Sequence, residues 1–200
     1  MTTAALTRAL QRFDEENARD PHLEIVDGIP RPREWLYAQR LAAWVERLAP
    51  EASAPLRLAA RCQHICRWKI PRDTYPMTRP GYLKWRQDLK EFHAKLAGEI
   101  LRETGCDEDT MQKVRELNLK KNFPADPESR ILEDALCLVF LEFQFAELAA
   151  RTDEAKIINA VQKTWKKMTP AAHARALALP LGPRELALVQ RALAPAAGGN

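Results

Sequence analysis

The chain has 200 residues, 46% hydrophobic and 29% charged, with a net charge of +4. That balance suits one folded domain with a sizeable core and excludes disorder over most of the length; it permits an anionic ligand without demanding nucleic acid. The longest apolar runs fall far short of a membrane span and no signal-peptide pattern opens the chain, so a cytoplasmic protein without a membrane segment is expected.

Helical periodicity runs through nearly every segment. "TTAALTRALQRFDEEN" places Ala5, Leu6, Ala9, Leu10 and Phe13 on one face. "DGIPRPREWLYAQRLAAWVERLAP" predicts a helix that begins at its prolines and ends at Pro50. "APLRLAARCQHICRWKIP" predicts a helix to Ile70, where Pro71 stops it. Cys62 and Cys66 share a face of that helix and are expected as small buried thiols rather than zinc ligands. The proline-rich "PRDTYPMTRPG" predicts an ordered loop.

A long helix is expected over 81–104, closed by Gly105, and a short one from the cap Asp107 to Leu119. After the turn "KKNFPADPESR", Asp126 caps an apolar helix with Pro127 at its first position. Residues 153–168 predict another helix, and "TPAAHARALALPLGPRELALVQRALAP" two short ones. Strand signals are nearly missing. The expected fold is all-α, a single-domain bundle of about eight or nine helices over 1–195, with a flexible tail at 196–200.

Seven glycines form no G-x-x-x-x-G-K-[ST], G-x-G-x-x-G or G-x-S-x-G, so the common phosphate cradles and the serine-hydrolase elbow are excluded. The chemistry must come from side chains carried by helices. In "ILEDALCLVFLEFQF", Glu133 and Asp134 fall about two turns past the helix start, beyond the reach of capping and of the helix dipole. Apolar residues flank both, but the two lie about 100° apart around the axis, so at most one faces the middle of the buried stripe. A carboxylate there needs a partner, an arginine, a hydrogen-bond donor or a metal, while the other can reach solvent.

His64 in "RCQHICRW" is expected on a face with Arg61, Ile65 and Trp68. In "GYLKWRQDLKEFHAKLAGEIL", Tyr82, Arg86 and His93 form a stripe beside the core positions Trp85, Leu89, Phe92, Leu96 and Ile100. His64, His93 and Asp134 come from three different helices, and two imidazoles with a carboxylate suit one divalent metal ion. Glu133 would then serve as ligand helper or general base. Arg67, Arg72, Arg86 and Lys121, with Tyr82, would bind a small anionic or phosphorylated substrate. RNA binding, suggested by "HICRWKIPR" and "KTWKKM", is disfavoured because Trp68, Trp85 and Trp165 take core spacings.

The segments "QHICRWKIPRDTYP", "GYLKWRQDLKEFH", "LEDALCLVFLE", "KTWKKM" and "ENARDP" resemble the family called domain of unknown function 4202, over roughly residues 5–180. That resemblance implies no particular activity. A weaker one is to the HD-domain metal phosphohydrolases, all-α proteins whose ligands run histidine, histidine-aspartate, aspartate along successive helices. His64, His93 and Asp134 follow that order, but Ala94 stands where the family has its central aspartate. It implies an HD-like fold and a metal-dependent hydrolase; the alternative is a non-catalytic binding domain for a small anion or nucleotide.

Overall fold

The computed structural model describes residues 1–194, so the tail expected at 196–200 lies outside the described residues. Ten α-helices and one two-stranded ribbon make up those residues, confirming the all-α class. Among the described residues no helix is long and apolar enough to cross a membrane. The chain forms two compact units, Met1–Leu132 and Glu133–Asn200.

In the first unit, α1 (Thr3–Asn17) is capped by Thr2 and buries Ala5, Ala9 and Phe13. The ribbon pairs β1 (Leu23–Val26) antiparallel with β2 (Ile29–Pro32), with Val26 opposite Ile29. Asp27 and Gly28 join the strands with φ of 52° and 76°, the two left-handed residues that a tight hairpin turn needs. α2 (Arg33–Leu48) follows at once. Its N-cap, Pro32, has no side-chain donor or acceptor to offer. The buried Asp20 does that work from a distance, accepting a 2.9 Å hydrogen bond from the Glu34 amide.

Helix α3 (Ala54–Cys62) is the centre of this unit, packed against α1, α2 and α5. Leu56, Leu58, Ala59, Ala60 and Cys62 are all fully buried, and the adjacent alanines let neighbouring backbones come close. The helix ends at Cys62 rather than at Ile70, which corrects the expected span. From Gln63 to Ile70 the chain is a chain of tight turns, with Cys66 in the left-handed region at φ 54°. The next helix, α4 (Arg79–Glu103), supplies the reason. The ring Nδ1 of His93 bonds the Ile65 carbonyl at 2.8 Å, and Trp85 Nε1–H donates to the Ile70 carbonyl at 2.9 Å. Side chains of α4 thus replace the helical hydrogen bonds of this stretch, a tertiary effect with no local sequence signal.

At the end of α4, Gly105 takes φ 79°, its amide bonds Arg102 O, and the Cys106 amide bonds Leu101 O. This paired closure uses a residue without Cβ. Asp107 then caps α5 (Glu108–Leu119) through the Thr110 amide. Asp126 caps α6 (Pro127–Val139) through the amides of Glu128 and Ser129, and also pairs with Lys113. These three boundaries fall where the sequence puts them.

The boundary between the units falls inside α6. In the second unit, a π-helical segment Phe140–Gln144 separates α6 from α7 (Phe145–Arg151), a wider turn that helical periodicity does not foretell. α8 (Glu154–Trp165), α9 (Pro170–Leu177) and α10 (Pro183–Leu193) follow, close to their expected spans. Phe145, Ala149, Ile157, Val161, Leu188, Val189 and Ala192 form one buried cluster here.

Candidate ligand site

Three elements of the first unit bring titratable side chains together. Helix α2 contributes Glu34 and Tyr37, the turn after α3 contributes His64 and Arg67, and α4 contributes His93. Tyr37 and His64 stack face to face, ring centroids 4.0 Å apart and 9° from parallel. The His64 ring is in turn 5.9 Å from that of His93. His64 Nδ1 lies 3.6 Å from Glu34 Oε2, a close approach that is longer than a hydrogen bond. Arg67 Nε is 3.9 Å from Glu34 Oε1, and its guanidinium lies over the Trp85 ring at 4.9 Å.

The tautomer of His93 follows from its partner. A carbonyl only accepts, so Nδ1 carries the proton that reaches Ile65 O, and Nε2 keeps its lone pair. That Nε2 is buried and has no hydrogen-bond partner in the protein; the same holds for Glu34 Oε2. Buried polar atoms are normally paired, so two unpaired ones in one cluster single it out as the candidate site.

Electrostatics separate the acid from the bases. Burial pushes the Glu34 carboxyl up to about 7, against the pull of Arg67 and with help from Asp20. Burial pushes His93 down to about 3, and the neighbouring His64, Arg67 and Arg86 add to it. His64 is held well below the ordinary histidine value by burial, then by Arg67, Arg86 and Lys120. Lys120 ends α5 in the left-handed region, at φ 55°. The cluster is therefore two neutral imidazoles and one carboxyl poised near neutrality, in a field set by three cations.

Of the residues singled out in the sequence, His64, His93 and Arg67 belong to this cluster, and Arg86, exposed on α4, acts on its histidines through its charge. His64 comes from a turn, and the helical face expected to unite it with Arg61, Ile65 and Trp68 does not form. Arg72 instead holds its own loop, donating to the carbonyls of Tyr75 at 3.0 Å and Pro76 at 2.8 Å, near the rings of Tyr82 and Trp85. Tyr82 is 44% exposed, and Lys121 is exposed just after α5.

Glu133 and Asp134 belong to the second unit and are both buried. Lys167 approaches Glu133 at 3.3 Å. Both Asp134 oxygens accept hydrogen bonds from Thr169, one from its amide at 2.9 Å and one from its hydroxyl at 2.6 Å. Thr169 is the N-cap of α9, so Asp134 anchors the start of that helix. Among the described residues, no group of three or more histidine, cysteine, aspartate or glutamate side chains is arranged to hold a metal ion. Cys62 and Cys66 are buried thiols, pushed up by burial to about 12 and about 11.

Glu34 and Tyr37 are the members that sequence reasoning missed. A signal existed. Glu34 stands at the head of the series Ala38, Leu41, Val45, spaced four, seven and eleven residues on along a buried stripe of α2. A carboxylate on an apolar stripe is the same anomaly that singles out Asp134.

These features define an all-α protein with a buried histidine–carboxylate cluster bordered by arginines. The chain belongs to the family described as Domain of unknown function (DUF4202), whose model matches residues 7–189. No curated protein and no solved structure matches it.

Proposed function

We propose that this chain is a binding domain for a small anionic, phosphorylated molecule, held at His64, His93 and Glu34, with Arg67 and Arg86 supplying the positive charge. The observation that carries this reading is the positive field that Arg67, Arg86 and Lys120 set around the two neutral histidines. Arginine recognises oxyanions through its planar fork, and a desolvated site strengthens the attraction.

Recognition is favoured over histidine catalysis because His93, at about 3, is a weak base at neutral pH. A second reading, metal-assisted hydrolysis of the bound phosphate, is supported by Glu34, which at about 7 is matched to proton transfer. It is supported also by the anchoring of His93 through Nδ1, the arrangement by which metal-bound imidazoles are oriented.

Titration calorimetry with inorganic phosphate and with pyrophosphate, in chelator and then with added manganese, tests both readings. Saturable binding in chelator is expected, weakened at least about tenfold in Arg86→Ala and in Arg67→Ala, the loss typical of a charged hydrogen bond. Absence of binding, or unchanged affinity in both variants, overturns the binding reading. Binding that requires manganese, with phosphate released from pyrophosphate, replaces it with the hydrolytic one.

A further inference from the structure

We infer that the anion carries a neighbouring hydroxyl group, so that the site takes the phosphate ester of a polyol in preference to a bare oxyanion. The inference rests on the reading just given and deepens it. Arginines satisfy an oxyanion, but they do nothing for His93 Nε2, which is an acceptor. Its ring proton is committed to the Ile65 carbonyl at 2.8 Å, and the residue is only 4% exposed. A phosphate dianion placed against that nitrogen would set lone pair against lone pair. A hydroxyl donates to it instead.

Glu34 Oε2, buried on α2 without a protein partner, makes the same demand when its carboxyl is ionised. His64 neighbours both residues, its Nδ1 3.6 Å from Glu34 Oε2 and its ring centroid 5.9 Å from that of His93, and Tyr37 stacks on its ring. The cations Arg67 and Arg86 border the same cluster on the turn and on α4. Acceptors and cations side by side select a ligand with a donor beside its charge, because an analogue lacking the donor leaves the buried acceptors unpaired.

The test compares glycerol 3-phosphate with n-propyl phosphate, which has the same charge and carbon count without the hydroxyls. Calorimetry on the full chain should show glycerol 3-phosphate bound at least about tenfold more tightly. In His93→Asn the amide nitrogen can still donate to Ile65 O while the Nε2 acceptor is gone, so the preference should shrink. Glu34→Met, similar in size and without an acceptor oxygen, its fold checked by circular dichroism, gives an independent second variant and should also reduce the preference. Equal affinities for the two esters overturn the hydroxyl inference and leave the anion reading standing. Binding of neither overturns both. A preference undiminished in both variants overturns the assignment to these two residues.

Discussion

Glu34 is the residue whose burial has the clearest thermodynamic signature. Its carboxyl titrates near 7 in the folded protein against 4.5 for the unreacted group, so the folded chain holds a proton that the unfolded chain has released. Between those values stability falls as pH rises, and above pH 7 the full cost of the buried charge is present. Glu34→Gln removes that dependence. Relative to the parent, the variant should gain stability on the order of 2–3 kcal/mol as pH moves from 4.5 to 8, measured by urea unfolding at both values. His64 and His93 act in the opposite sense, their depressed values withdrawing stability as pH falls below 6.5. Comparing parent and variant cancels that contribution. An identical pH profile in the two proteins would contradict the burial argument.

At the scale of elements, the start of α9 depends on a side chain from α6. Thr169 caps its own helix through the Ala172 amide at 3.3 Å and gives its hydroxyl proton to Asp134 at 2.6 Å. Thr169→Ala removes both and leaves a buried carboxylate oxygen without that donor. A loss on the order of 2–3 kcal/mol is expected in urea unfolding, against well under 1 kcal/mol for an exposed threonine. Thr169→Ser keeps both bonds and should stay within about 1 kcal/mol of the parent. Equal losses in the two variants would show that the methyl group, not the hydroxyl, is what matters.

At the scale of the whole molecule, the two units differ in what they bury. The first has a fully buried central helix, α3, and a core that includes Phe13, Leu41, Leu56, Leu58, Leu101 and Leu117. The second is smaller and includes a cluster drawn from α7, α8 and α10. A smaller core protects its amides less, so hydrogen exchange in α8 and α10 should be at least about tenfold faster than in α3. Equal protection would mean that the chain opens only as one cooperative body.

The helical class was legible throughout because its signals are local: period, caps at Asp107 and Asp126, Gly105 at a left-handed position. What escaped the sequence depends on distant partners. α3 stops where α4 takes its carbonyls, and the π segment widens a helix whose apolar pattern looks continuous. The hairpin is a different case, since its Asp27–Gly28 turn is a local signal that stands directly before a strong helical pattern. The burial of one of Glu133 and Asp134 was readable from their apolar flanks, whereas Thr169 as the partner of Asp134 was not, because 35 residues separate the pair.

The ribbon carries one further consequence. Leu23, Ile25 and Ile29 are exposed on it, the composition that invites another strand to add at its edge. In this register Val26–Ile29 and Glu24–Arg31 are the inward-bonded pairs, so positions 30 and 32 turn their backbone nitrogens outward. Both are proline. The outer margin of β2 therefore offers no N–H at either place where an incoming strand would seek one, and the hairpin is sealed on that side against templated aggregation.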